Sequence, residues 1–178
     1  MAIAVTIDGI DKTKFIDWGS LSINNILTSK VDTCSFTTKS YGDRAYEPQA
    51  GREVIVTDDG TRVFAGYIVR RDVTASDYKV LQYQCKCVDY TRLLQKKLVA
   101  NTYENMTIAA IISSIITQYC PGYGLTTTNV VCNKVITKIS FNYEPVQQVI
   151  EKLANLINYD WWVDYNKNIY FKAPATVS

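Results

Sequence analysis

The chain has 178 residues, 47% of them hydrophobic and 20% charged, with a formal net charge of +2 and no histidine at all. That length suits one domain or two small ones, and a domain of this size buries about 70% of its unfolded surface, enough for a core. Without histidine the commonest general base and metal ligand are missing. A small, evenly spread charge also lacks the basic stripe of a nucleic-acid binder, so no specific nucleic-acid binding is expected.

Ile3, Val5 and Ile7 alternate like a strand from the start, with no basic leader region before them. Asp8-Gly9 then predicts a hairpin turn between Ala2–Ile7 and a second extended stretch ending near Trp18. Further extended stretches are predicted at Ser20–Ile26, Cys34–Ser40, Glu53–Thr57 and Arg62–Arg70, with a turn at Asp58-Asp59-Gly60. Asp72–Thr74 and Lys79–Val88 form another pair around Ala75-Ser76-Asp77. In its last strand Leu81, Tyr83, Cys85 and Cys87 alternate with Gln82, Gln84 and Lys86, so one face is buried and one wet. Short strands at this spacing indicate a small barrel or sandwich.

The pattern changes at Asp89, which is placed to cap a short helix over Tyr90–Lys97. Thr107 begins the clearest helix, with Ile108, Ile111, Ile112, Ile115, Ile116 and Tyr119 on one face until Pro121-Gly122 stops it. Its longest pure apolar run, Ile108–Ile112, is far short of the roughly 20 residues of a membrane span, and no membrane partner is expected. A threonine-rich loop follows. Lys138–Pro145 then reads as a strand feeding a helix that carries Val146, Val149, Ile150, Leu153, Leu156 and Ile157 on one face. Pro145 falls in the first turn, where its missing N–H is no loss, and Asn158 is a left-handed stop. An aromatic hairpin closes the unit: Asp160–Tyr165, a turn at Asn166-Lys167, and Ile169–Lys172. The predicted fold class is α+β. A small antiparallel β-barrel-like domain spans residues 1–88, and an α+β domain spans residues 89–178, with two amphipathic helices on a small antiparallel sheet.

Cys34, Cys85, Cys87, Cys120 and Cys132 are odd in number and contain no C-x-x-C. Cys85 and Cys87 lie about 6.6 Å apart along a strand, near the upper limit for a disulfide. They read as small apolar residues on one buried face, made in a reducing compartment.

No pattern of catalytic chemistry holds up. Asp164–Asn168 opens like a calcium loop, but Ile169 stands at the glycine position and Ala175 at the bidentate glutamate, so a hairpin turn is expected. Asp160 and Asp164 flank the tryptophans at about 13 Å along a strand, beyond the roughly 5–9.5 Å of glycoside hydrolysis. Gly122-Tyr123-Gly124 follows a helix instead of opening one, and so cannot cradle phosphate. Serine and cysteine nucleophiles have no histidine partner. Asn105-Met106-Thr107 reads as a helix start. Catalytic, cofactor-binding and metal residues are therefore expected to be none. Alternation does put Trp162 opposite Trp161 and Val163, so Trp162 and Tyr170 on the partner strand are the candidate partner-binding residues. A protein interface, a carbohydrate platform and a second layer of core are all open readings.

Two stretches together carry a family resemblance. One is Pro48-x-x-Gly51-x-x-Val54-x-Val56-x-Asp58-Asp59-Gly60-x-x-Val63-Phe64-Ala65-Gly66-Tyr67-Ile68. The other runs from Asp89-Tyr90-x-Arg92-Leu93-Leu94 through Thr102–Thr107 to Phe141–Pro145 and Trp161-x-Val163-Asp164. In order and spacing the chain resembles the baseplate hub, or tail-tip, proteins of tailed bacteriophages. The resemblance implies a non-enzymatic virion protein of a phage or prophage, made in the host cytoplasm and built into the tail. It also implies homotrimers of the full-length protein, with two barrels per subunit in a pseudo-sixfold ring, bound to tube-end, tape-measure and tip proteins. The second barrel is expected to begin where this chain stops at Ser178, which reads as a shortened piece with any enzyme domain outside it. A fragment of a tail-associated cell-wall lysin and a carbohydrate-binding tail module are the rival functions.

Overall fold

The structure is a computed structural model that describes residues 2–26, 31–42, 45–77 and 79–174. They fall into two compact units, the first drawn from residues 2–26 and 31–89 and the second containing residues 90–174. More than half of the chain is sheet, and the fold is a β-rich α+β fold.

The first unit holds β1 (Ile3–Ile7), β2 (Ile10–Asp11), a 3₁₀ turn (Thr13–Phe15), β3 (Ile16–Asn24), β4 (Thr33–Ser40), β5 (Glu53–Asp58), β6 (Thr61–Asp77) and β7 (Val80–Asp89). They form one antiparallel sheet in the order β2-β1-β5-β6-β7-β4-β3. The sheet curls into a half-barrel. Hairpin turns at Asp8-Gly9 and Asp59-Gly60 place both central residues at positive φ, the geometry that matches strand twist. The core alternates as strands must: Val5, Ile7, Phe36, Val54, Val56, Phe64, Ile68, Tyr83, Cys85 and Cys87 are all buried.

Three expectations for this unit need correction. The stretches ending at Trp18 and starting at Ser20 are one strand, β3, whose ladder with β4 breaks between Asp17 and Ser22. No turn forms at Ala75–Asp77, because β6 runs through to Asp77 and turns only after it. Leu81 does not join the buried face. It lies at the hairpin end of β7, beyond the curled core, and is exposed.

All five cysteines are buried and free. Cys34 and Cys87 are directly opposed across β4 and β7. The Asp89 N–H bonds the Asp32 carbonyl, so by alternation Cys34 and Cys87 form a hydrogen-bonded pair, whose Cβ atoms stand at the wide end of about 4.5–5.5 Å. A disulfide needs about 3.5–4.5 Å. The register therefore holds these thiols close without joining them. Burial pushes the Cys85 thiol up to about 12, and a hydrogen bond with Cys34, followed by burial, pushes Cys87 up as well. Denatured protein is expected to titrate five thiols, and native protein almost none at pH 8. A disulfide-bonded peptide containing Cys87 in freshly purified protein would contradict this. The same burial makes stability fall in alkali. It is intact below the unfolded thiol value of about 8.5 and is lost as pH climbs towards the folded value of about 12 for Cys85. Urea midpoints measured from pH 8 to 11 test the sign.

The second unit opens with a 3₁₀ helix at Tyr90–Gln95, shorter and tighter than the helix predicted to reach Lys97. Then come β8 (Leu98–Thr107), α1 (Ile108–Tyr119), β9 (Thr126–Val130), β10 (Val135–Pro145), α2 (Val146–Ile157), β11 (Asp160–Val163) and β12 (Asn168–Lys172). All five isoleucines of α1 are buried, and Thr107 caps it by accepting from the Ala110 N–H at 3.2 Å. In α2, Val146, Val149, Ile150, Leu153 and Ala154 are buried. Leu156 is not. It stands 62% exposed at the edge of the apolar stripe, which Ala154 pulls to the other side. Pro145 ends β10 at the N-cap, one position before the first turn, and Asn158 stops the helix in the left-handed conformation at φ 55°.

The expected single antiparallel sheet is two separate ladders. β8 and β10 make an antiparallel ribbon, and β11-β12-β9 make a mixed sheet in which β9 runs parallel to β12. The parallel pairing is possible because β10, α2 and β11 intervene, giving the crossover that parallel neighbours require. β9 occupies the segment predicted as a threonine loop, and β8 covers Leu98–Thr107, where no strand was predicted. Asn105-Met106-Thr107, read as a helix start, ends this strand, and only Thr107 serves the helix, as its N-cap.

Candidate functional site

The mixed sheet of the second unit separates its two faces by strand alternation. Trp161, Val163, Ile169, Phe171 and Val130 turn inward and are buried. Trp162 and Tyr170 turn outward, as the sequence predicts, and the β11–β12 register sets them directly opposite each other. Their rings stack in parallel, 4.9 Å between centroids and 1° between planes. The Lys172 ammonium lies 5.1 Å from the Trp162 centroid, a cation–π contact. Asn129 of β9 continues the row beyond Tyr170. Both rings are half-buried.

This geometry makes Trp162 and Tyr170 a stacked cross-strand pair on the outer face of the hairpin. Each ring gives one face to the other. Such a pair contributes about 0.5–1.5 kcal/mol beyond its area. Trp162→Ala should therefore cost about 1–2 kcal/mol, read as a urea-midpoint shift with an unchanged fold by circular dichroism.

At the hairpin turn, Asp164 spends its carboxylate on the backbone. Its Oδ1 accepts from the Asn166 and Asn168 N–H groups, both at 2.8 Å, and its Oδ2 accepts from Asn168 Nδ2 at 2.8 Å. These bonds make the turn anticipated in place of a calcium loop; Ala175 lies outside the described residues. Among the described residues no group of three or more carboxylates and thiols is placed to hold a metal, and no helix is long and apolar enough to cross a membrane.

The shifted ionisations all move away from neutrality. Hydrogen bonds from Thr13 lower Asp11, and Lys39 lowers Asp17. Burial lifts Tyr46 to about 12 and raises Cys120 as well. General acid–base work needs a group poised near the operating pH, and none of these is one.

The surface feature absent from the sequence reading is in the first unit. Trp18 and Ile3 are 44% and 40% exposed and line a cleft at the free margins of the half-barrel sheet. Nothing local marks them, since residues 3 and 18 meet only when the sheet curls.

The YQBQ-like family model matches residues 21–160. The chain belongs to the YQBQ-like family. This YQBQ-like chain also shares its fold with solved tail proteins. It superposes on a tail protein from Neisseria meningitidis MC58 with a TM-score of 0.77 at 17% identity, covering 99% of this chain and 52% of that one. The 43 kDa tail protein of prophage MuSo2 from Shewanella oneidensis gives 0.76 at 15% identity, over 97% and 55%. The E. coli c3393 protein gives 0.63 at 13% identity, over 94% and 48%. It is a component of the type VI secretion system, structurally similar to the T4 bacteriophage tail proteins gp27 and gp5. No curated protein matches the sequence. The chain spans about half the length of these solved structures, and at such identities the likeness carries the fold. The resemblance to tail proteins drawn from sequence is borne out.

Proposed function

We propose that this YQBQ-like chain is a non-enzymatic structural part of a phage or prophage tail, acting in the baseplate hub that joins the tail tube to the distal tip. The observation that carries the reading is the extent of the shared fold, since the likeness to solved tail proteins covers 97–99% of the chain. Two further likenesses support the hub position. One is to the c3393 protein, and the other is to a Francisella PdpA–VgrG complex, with a TM-score of 0.61 at 10% identity, covering 97% of this chain and 28% of that one. In this reading residues 1–88 are the barrel-like domain and residues 89–178 the α+β domain. The full-length protein is a homotrimer in the virion tail, made in the host cytoplasm, with tube-end, tape-measure and tip proteins as its partners.

Light scattering on the full-length gene product tests the assembly. A trimer at micromolar concentration is the expected mass, and a monomer at tens of micromolar would contradict the hub position. The same preparation should leave peptidoglycan intact in a zymogram. Clearing that disappears on mutating one carboxylate would support the lysin reading instead.

A further inference from the structure

We propose that the open seam between β1 and β3 accepts an extended acidic segment of a partner protein, added as a strand along the free edge of β1. β2 is only two residues long and pairs with Thr6 and Ile7 alone. Further back along β1 the edge is closed by the 3₁₀ turn. The Val5 N–H donates to Thr13 Oγ1 at 3.0 Å, and the Val5 carbonyl accepts from the Lys12 N–H at 2.9 Å. Those bonds fix which way β1 faces. Val5 points its backbone groups away from β5, so by alternation Ile3 does too, and there neither β2 nor the turn reaches it. Among the described residues nothing pairs with this N–H and C=O, which stand at a sheet edge as the template that strand addition uses.

The space beside this edge has a strand's dimensions. A cleft of about 500 Å³ is lined by Ala2 and Ile3 on one side and by Trp18 and Leu21 of β3 on the other. Added strands need about 4.8 Å of lateral room. Trp18 and Leu21 project there because the β3–β4 ladder skips from Asp17 to Ser22. Ser20 stitches the bulge down, its Oγ donating to the Asp17 carbonyl at 2.6 Å and accepting from the Thr37 N–H at 2.7 Å. The displaced stretch is held in place, which is how bulges re-aim side chains. An apolar side chain of the incoming strand fits between Ile3 and Trp18.

Charge selects the occupant. Trp18 also lines a second cleft of about 310 Å³, shared with Lys14, Asp17, Lys39 and Tyr41. Lys39 holds Asp17 at 2.8 Å, and Asp11 accepts from the Thr13 N–H at 2.8 Å. The Lys12 ammonium rests 4.6 Å from the Tyr46 ring centroid and that of Lys14 5.1 Å from Phe15. Of the charged groups lining this second cleft, Lys14 and Lys39 face Asp17 alone. The Asp59 carboxylate, which accepts from the Ala2 N–H at 2.7 Å, belongs to the opposite end of the seam. A strand continuing past Trp18 therefore meets net positive charge there and gains from glutamate or aspartate at that end.

The probe is a fluorescein-labelled decapeptide of glutamate alternating with valine and one central phenylalanine, titrated by anisotropy. Binding in the micromolar range is expected, with a lysine-for-glutamate peptide at least tenfold weaker. Ile3→Pro removes the edge donor at a position where an edge strand tolerates proline, and Trp18→Ala empties the cleft. Each should weaken binding about tenfold, while Leu156→Ala should leave it unchanged. Equal binding of both peptides, indifference to both substitutions, or no binding below millimolar would overturn the proposal. So would concentration-dependent dimerisation abolished by Ile3→Pro, which would make a second copy the occupant.

Discussion

Gly66→Ala is expected to destabilise the first unit by about 3 kcal/mol or more, at or above the top of the usual range for overpacking. A Cβ built at Gly66 falls 2.0 Å from the Val88 carbonyl oxygen and 2.7 Å from Asp89 Cα. These are backbone atoms of β7, paired with β6 at Gly66↔Asp89, so no rotamer can relieve the clash. The ladder itself must part. For a unit this small, each kcal/mol lowers the melting temperature by about 4–8 °C, so calorimetry should show a fall of at least ten degrees or so. Gly19→Ala is the control, because the nearest atom there is Asp17 Oδ1 at 3.8 Å. Equal melting temperatures for the two variants would show that β6 and β7 do not cross as described.

The second large effect separates adjacent residues. Trp161 is 1% exposed and among the largest buried side chains of the chain, so Trp161→Ala should cost about 3–5 kcal/mol. A small unit with a total stability of about 5–15 kcal/mol has little left after that loss. Trp162→Ala, on the outer face, should cost several-fold less. Trp161→Phe should be mild, because it keeps most of the apolar area and removes a buried indole N–H that has no hydrogen-bond partner. Chemical denaturation of the three variants checks the order. If Trp162→Ala proved the worse of the two alanine variants, the faces of the hairpin would be reversed.

What the sequence reveals of this fold follows from how local each signal is. The isoleucines of α1, the Asp-Gly turns and Asn158 are legible because each depends on a few neighbouring residues. β8 is not. Its only buried residues are Val99 and Tyr103, four apart, followed by Asn105 at φ 51°, so no alternation builds up. β9 is hidden for a different reason. Thr126–Val130 is a strand only because β12 arrives from 41–42 residues further on to pair with it. The outward aim of Trp162 and Tyr170 is readable from period two, but their mutual stacking needs the hairpin register. The seam at Ile3 and Trp18 is invisible in sequence because it exists only between the two ends of a curled sheet.

The central claim is that this chain is a built-in part of a tail, and immunogold electron microscopy tests it most directly. Antibodies raised against residues 1–178 would be applied to particles induced from the strain that carries the gene. The account predicts gold at the distal end of the tail, one cluster per particle. Purified particles that carry no label, or label confined to heads, would contradict it.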